Sequence, residues 1–235
     1  MDAQNNVLAV DTSSRILSVA IAKGDDAVFE ANLAGTPRHS EQLIDLIDQG
    51  LRTLRLKKDD LDEFLWGLGP GSFTGLRIGL SVLKGFHLGF GRRAFGTSSL
   101  DLIALGTGVG TGDLAVCVDA RREHIYTAVY RFQSGGVRKI LRDTLLSFDE
   151  LIARIHSKMV LTGDALSPYG SAIQKQMGRK ALFLNPSFWY PRAISLIRLR
   201  KERSDWLFPL SLRTMVPRYL RCSEAEEKYS KASRR

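Results

Sequence analysis

Asp11 closes a short apolar run, 7–10, and is followed at once by Thr12, Ser13 and Ser14. A carboxylate at the end of a first strand can hold a metal-bound water beside a nucleotide phosphate, while neighbouring hydroxyls donate hydrogen bonds to the phosphate oxygens. The same residues can instead satisfy one another, the carboxylate accepting from turn amides and hydroxyls. Both readings stand on the sequence, with Asp11, Thr12 and Ser13 as the candidate nucleotide-binding residues. A second stretch, 69–79, reads Gly-Pro-Gly-Ser-Phe-Thr-Gly-Leu-Arg-Ile-Gly. A strand feeding a Gly-Pro-Gly turn and then a helix is one way to build a phosphate cradle. No Gly-Lys-Ser/Thr follows, however, and the spacing is not that of a dinucleotide fingerprint. The packing alternative is that Gly75, Gly79 and Ser81, with Gly85 and Gly89 beyond, leave a helix surface poor in bulk. Each interior glycine costs a helix up to ~1 kcal/mol, so their density needs a packing reason, within the lobe or against a partner.

Other reactive constellations are scarce. His39, His87, His124 and His156 are far apart and form no HxxxH or HExxH pair. Ser72 lacks the following glycine of a nucleophile elbow, and Asp59, Asp60 and Asp62 read as a solvated acidic turn. Cys117 and Cys222 form no CxxC or Cys/His cluster, and Cys117, flanked by valines, is expected to be a small buried side chain. No catalytic residue and no metal site is assigned.

The elements that must carry these residues follow from periodicity. Strands are expected at 7–10, 16–22 and 27–33, with a tight turn at Gly24-Asp25, making a three-stranded meander. Leu43, Ile44, Leu46, Ile47, Leu51 and Leu54 recur at helical spacing over 39–54. A buried strand at 63–68, a helix at 73–89, a strand at 93–95 and a helix capped near Thr97-Ser98-Ser99 complete a first unit. Gly106-Thr107-Gly108-Val109-Gly110-Thr111-Gly112 is the strongest composition break. Beyond it the order repeats: strand 114–118 ends in Asp119, strands follow at 125–132 and 136–141, and a helix at 148–155. Later elements are expected as a strand at 159–162 and helices at 172–177 and 192–200. The division expected is an N-terminal lobe, 1–105, a second lobe, 106–200, a C-terminal segment returning to the first lobe, 201–222, and a flexible basic tail, 223–235.

With 235 residues, 44% of them apolar and 25% charged, the chain has the balance of a globular protein. The longest apolar runs fall far short of the ~20 residues needed to span a bilayer, and the first thirty residues contain no export signal, so a cytoplasmic chain with no membrane association is expected. The net charge of +9 favours phosphate backbones, but it is spread over Arg121-Arg122, the segment 198–201 and the end of the chain, with no RNA-recognition motif.

Val10-Asp11-Thr12-Ser13-Ser14 with Leu17-Ser18-Val19-Ala20 resembles the opening of the bacterial TsaB (YeaZ-type) family, and the eleven residues 69–79 resemble that family's most distinctive stretch. Three further stations lie in the family's order: Gly96-Thr97-Ser98-Ser99-Leu100, Asp119-Ala120-Arg121-Arg122-Glu123 with Ile125-Tyr126, and Val216-Pro217-Arg218-Tyr219-Leu220-Arg221. The resemblance implies an α/β fold of the actin-like ATPase (ASKHA) type, two lobes of mixed β-sheet flanked by helices. It implies a non-catalytic subunit that binds and activates its paralogue TsaD for N6-threonylcarbamoylation of adenosine 37 in tRNAs reading codons that begin with adenine. Further implied partners are TsaE, tRNA through the complex, and a second copy of the chain in isolation. ATP, Mg and threonylcarbamoyl-adenylate belong on this view to the partners, with no cofactor of the chain's own. Nucleotide-hydrolysing members of the fold usually have glycine soon after the Asp of the first strand, where this chain has Ser13, so its nucleotide site is expected to be degenerate. The resemblance favours a partner interface on the two long helices, through His39, Leu43, Ile47, Phe73, Thr74, Leu76, Gly79 and Val82. The alternatives are an actin-like small-metabolite kinase or ATPase and an independent RNA-binding module.

Overall fold

The computed structural model describes residues 5–35, 39–155 and 157–220, and only the backbone at 39–41. The expected tail at 223–235, Cys222, His156 and the side chain of His39 lie outside the described residues. The chain opens with the antiparallel meander β1 (Asn6–Asp11), β2 (Ile16–Lys23) and β3 (Asp26–Ala34). Gly24, at φ 65°, makes the tight turn between β2 and β3, a conformation that favours glycine. Helix α1 (His39–Thr53) then crosses back, and β4 (Glu63–Gly67) and β5 (Arg93–Thr97) add in parallel beside β1. Between them runs α2 (Phe73–Phe90), begun by Ser72 Oγ accepting from Gly75 N and ended by Gly91 at φ 63°. The short helix α3 (Ser99–Gly106), capped by Ser98, leaves the first sheet.

A second sheet repeats the scheme. Strands β6 (Gly112–Asp119), β7 (His124–Gln133) and β8 (Gly136–Ser147) form another antiparallel meander, followed by α4 (Phe148–Arg154). Strand β9 (Met159–Thr162), helix α5 (Leu166–Met177) and β10 (Ala181–Phe183) complete it, β9 and β10 adding in parallel. The orders β3-β2-β1-β4-β5 and β8-β7-β6-β9-β10 therefore coincide strand by strand, in position and in sense. Two mixed sheets of this order, each flanked by helices, constitute the actin-like arrangement.

Each sheet buries one face under its own helices. In the first, Leu43, Ile47 and Leu51 of α1 and Leu80, Leu83 and Phe86 of α2 cover Leu8, Val19, Phe64 and Trp66. The layer between the sheets is built by α3 and α6 (Ala193–Glu202). Leu100, Ile103 and Ala104 of α3 meet Leu114, Val116 and Tyr130 of the second sheet, while Leu196, Ile197 and Leu199 of α6 meet Val7, Ala9 and Ala20 of the first.

Helix α6 thus packs on the first sheet, although 193–200 was expected in the second lobe. Its apolar face fits the small residues Ala9, Ala20 and Ala22, a pairing across nearly the whole chain that local periodicity does not reveal. Strand β11 (Phe208–Leu210) then joins the open edge of β5 in antiparallel sense. Most bounds differ from expectation by only a few residues, and two differ by more. Strand β8 continues to Ser147, and α5 begins at Leu166 because Pro168 stands in its first turn, where a missing N–H costs nothing. Among the described residues no helix is long and apolar enough to cross a membrane.

Candidate functional site

The turn after β1 and the stretch 69–79 form one structure. Asp11 is fully buried, and its Oδ1 accepts from Ser13 N at 2.8 Å and Ser13 Oγ at 2.7 Å. Its Oδ2 accepts from Ser99 Oγ at 2.6 Å, and that hydroxyl accepts in turn from Gly69 N at 3.1 Å. Burial pushes the Asp11 carboxyl above its ordinary value, and the Ser99 and Ser13 hydrogen bonds oppose that rise. Ser72 N donates to Ser13 O at 2.6 Å, closing the 69–72 turn onto the 11–13 turn. The glycines allow this approach. A side-chain carbon at Gly67 would overlap Asp11 Oδ2, one at Gly71 would overlap Ser13 O, and one at Gly75 would overlap Thr12 O. At Gly79 it would overlap Thr12 Oγ1 and lie 3.0 Å from Trp66 Nε1.

This geometry does not fit a nucleotide. The Asp11 carboxylate has both oxygens engaged by hydroxyls and an amide, and is covered by Gly67 and Ser99. The cleft between the lobes, lined by Ser14, Pro70, Ser99, Asp164, Trp189 and Tyr190, is narrow, with about 10 Å³ of room, roughly that of one water. Thr12 and Ser13, the other candidate residues, are buried at 0% and 4% exposure and form the packing contact to 69–79. Of the two readings of Asp11, the geometry matches mutual satisfaction within the turn.

The equivalent turn of the second sheet is built differently. Asp119 Oδ1 accepts from Arg121 N at 2.8 Å, and Asp119 Oδ2 lies 3.2 Å from the Arg121 guanidinium, whose side chain is 85% exposed. Arg121, Arg122 and Glu123 all take left-handed backbone, at φ 63°, 52° and 60°. Asp164 buttresses the turn by accepting from Asp119 N at 2.9 Å, and burial, helped by the Asp119 charge, lifts its carboxyl above the usual value. Cys117 nearby is fully buried, and burial pushes its thiol up to about 12. Among the described residues no three His, Cys, Asp or Glu side chains converge as metal ligands.

The remaining candidate is the helical face. Leu43, Leu76 and Gly79 were expected at a partner interface, but their side-chain positions point into the lobe's own core, with Leu43 at 0% and Leu76 at 1% exposure. Ile47, also expected there, is 1% exposed yet forms part of the lining of the groove between the two helices. The sheet beneath claims Leu43, because the rows 43, 47, 51 and 80, 83 are the faces that cover it, while Leu76 packs against the Gly69 turn. Phe73 and Val82 reach the surface partly, and Thr74 is exposed. Beside them α1 and α2 leave a groove of about 300 Å³ walled by Ile44, Asp48, Lys58, Val82, Gly85 and Phe90. Sequence reasoning missed Ile44, at 42% exposure, and Leu88, at 69%. A signal was present: Gly85 and Gly89, with nothing within 4 Å of an added carbon, mark the outward side, whereas Gly75 and Gly79 mark the inward one. Of the basic residues considered for RNA, Arg198 and Lys201 are exposed, but Arg200 is structural, bonded to Glu63 Oε1 at 2.7 Å and Asp25 Oδ1 at 2.8 Å.

Comparison with known proteins bears on both the closed turn and the open helical face. The family model described as TsaD: tRNA N6-adenosine threonylcarbamoyltransferase matches residues 34–229. A Bacillus subtilis protein named tRNA threonylcarbamoyladenosine biosynthesis protein TsaB is 26% identical over 95% of this chain and 97% of its own length. The chain belongs to the family that this model describes, and within it closely matches the TsaB/YeaZ proteins. A second TsaB, from Haemophilus influenzae, is 29% identical over 92% of this chain and 93% of its own length. The solved structure of YeaZ from Pseudomonas aeruginosa superposes with a TM-score of 0.75 at 23% identity, covering 92% of this chain and all of that one, a likeness of fold. The match to TsaB/YeaZ proteins agrees with the motifs at 10–20 and 69–79, which the structure joins into one packed unit.

Proposed function

We propose that this chain is the non-catalytic partner of TsaD in the N6-threonylcarbamoylation of adenosine 37 in tRNAs reading codons that begin with adenine, and that it docks through the outward faces of α1 and α2. The observation that carries the reading is the contrast between an interlobe cleft with room for about 10 Å³ and an apolar groove of about 300 Å³ on the two helices. A helical surface that leaves Ile44 42% and Leu88 69% exposed suits a protein partner. Chemistry and its cofactors, ATP, Mg and threonylcarbamoyl-adenylate, fall to the partners on this view. In their absence the same face pairs with a second copy of the chain. TsaE docks on the assembled pair, and tRNA is reached through the complex, in the cytoplasm. Ile47, Phe73, Thr74 and Val82 remain as contact residues from the expected set, joined by Ile44, Gly85 and Phe90.

Gly85 provides the test, because an added side chain there meets nothing of its own lobe. Gly85→Arg is expected to keep or raise the thermal midpoint of the free chain, since glycine is the poorer helix former by ~1 kcal/mol. Calorimetric affinity for TsaD from the same organism should fall at least about tenfold, a loss of ~1.4 kcal/mol or more. Unchanged affinity would remove the groove from the interface.

A further inference from the structure

The last described stretch of chain touches both lobes. After β11, Met215 is fully buried in the first lobe's core, and Arg218 N donates to Leu68 O at 2.9 Å. The Arg218 guanidinium then reaches the second lobe, 3.4 Å from Asp143 Oδ2 on β8. Asp143 is 4% exposed, and this Oδ2 is buried without a hydrogen-bond donor, so Arg218 is the cation that faces it. The other oxygen of Asp143 pairs with Lys139, which also bonds Asp101 Oδ1 at 2.6 Å. Asp101 accepts from Tyr130 OH at 2.7 Å and from Thr97 Oγ1 at 3.0 Å. Thr97 and Asp101 belong to the first lobe, and Tyr130, Lys139 and Asp143 to the second. Two buried carboxylates are thereby balanced by Lys139 and Arg218, and the second cation comes from the C-terminal segment.

The next residue acts on the helical face. The Tyr219 ring stacks on Phe73 at 4.9 Å with planes 24° apart, and the Arg77 guanidinium lies 3.8 Å from the centre of the same Phe73 ring. Arg77 Nε donates to Tyr219 OH at 3.1 Å, so the three side chains form a closed set at the start of α2. We propose that residues 208–219 are a clasp, which holds the two lobes together through Arg218 and braces the first turn of α2 through Tyr219, fixing the pose of Phe73 and Thr74. The bracing of a docking surface rests on the TsaD-binding reading above; the clasp between lobes does not.

The test uses the full chain and its Tyr219→Ala, Tyr219→Phe and Arg218→Gln variants, followed by amide hydrogen exchange in the free protein and by calorimetry with TsaD. Tyr219→Ala should speed exchange over 73–80 by roughly two- to tenfold, the range of a lost aromatic pair, while the melting midpoint moves by a few degrees at most. Tyr219→Phe, which keeps the ring, should fall between Tyr219→Ala and the parent. Arg218→Gln should speed exchange over 99–106 and 137–146, on the two sides of the lobe junction. Unchanged exchange over 73–80 in Tyr219→Ala, or over both junction segments in Arg218→Gln, overturns the clasp. Affinity for TsaD should fall roughly two- to tenfold in Tyr219→Ala and be retained in Tyr219→Phe. Faster exchange with unchanged affinity overturns the bracing of the docking surface. If the parent chain itself fails to bind TsaD, the docking reading falls, and the exchange measurements still decide the clasp.

Discussion

The turn after β1 and the turn after β6 occupy the same place in two sheets of the same order, yet they are stabilised in opposite ways. Asp11 is sealed under Gly67 and Ser99, its oxygens shared among two serines, and a glycine-lined helix packs on the backbone that follows. Asp119, its side chain 17% exposed, sits in a hairpin whose next residues include two arginines in left-handed backbone. A carboxylate at the end of a first strand is therefore not by itself a functional signal. In one lobe it has become the hub of a packed unit, and in the other a turn residue tolerant of its setting.

The largest way to break this comparison is to remove both carboxylates. Asp11→Ala strands Ser13 N, Ser13 Oγ and Ser99 Oγ as buried donors and leaves a void, so a loss of about 3–5 kcal/mol is expected in urea unfolding. Asp119→Ala, which removes the partly exposed ion pair with Arg121 and the acceptor for the Arg121 amide, should cost about 1 kcal/mol or less. Equal losses would mean that the two turns are not distinct.

Gly79→Leu sharpens the same contrast from the helix side. The new side chain would be driven into Thr12 and Trp66, an overpacking expected to cost roughly 1–3 kcal/mol and to lower the melt of the free chain. The matching change at Gly85, where space is open, should not lower it. A near-unchanged melt for Gly79→Leu would show that 69–79 does not pack on the Asp11 turn as described.

The smallest effect is in the pH dependence. Burial raises the Asp11 carboxyl, so across the window from its unfolded value near 3.8 up to its folded value the native state binds more protons than the unfolded one. Stability from this group falls as pH rises through that window and is level above it. Asp113 behaves with the opposite sign: the hydrogen bonds from Arg131 hold its carboxyl below the ordinary value, so its contribution is full above the unfolded value and is lost as pH falls through the folded one. In urea titrations at a series of pH values, Asp11→Asn should flatten the first slope and Asp113→Asn the second. Exchanged effects would refute the assignment.

Much of the fold was legible because its signals are local. The run at 7–10 ending in Asp11, the helical spacing of Leu43, Ile47 and Leu51, and the repeat of strand, Asp and meander after Gly112 each lie within one or two elements. The placement of α6 was not legible, since its partner surface of Ala9, Ala20 and Ala22 lies more than 170 residues away in sequence and alanine carries no strong pattern. Strand β11 is three residues long, one of them proline, and leaves no alternation to read. At the candidate interface the sequence showed which helices are poor in bulk but not which side of each is covered. The glycine row 75 and 79 faces Thr12, the row 85 and 89 faces outward, and only the packing of the sheet distinguishes them.

The late return of the chain to the first sheet has a consequence for synthesis. When the ribosome has released everything up to Gly106, the face of the sheet formed by Val7, Ala9, Ala20 and Leu65 still lacks the helix that covers it. That helix begins at Ala193, and the edge strand follows at Phe208. At typical elongation rates of roughly 5–20 residues per second, the nascent first lobe waits on the order of ten seconds with that apolar face open. The N-terminal lobe therefore cannot mature on emergence, and chains cut short within the second lobe should be the ones that engage chaperones or aggregate.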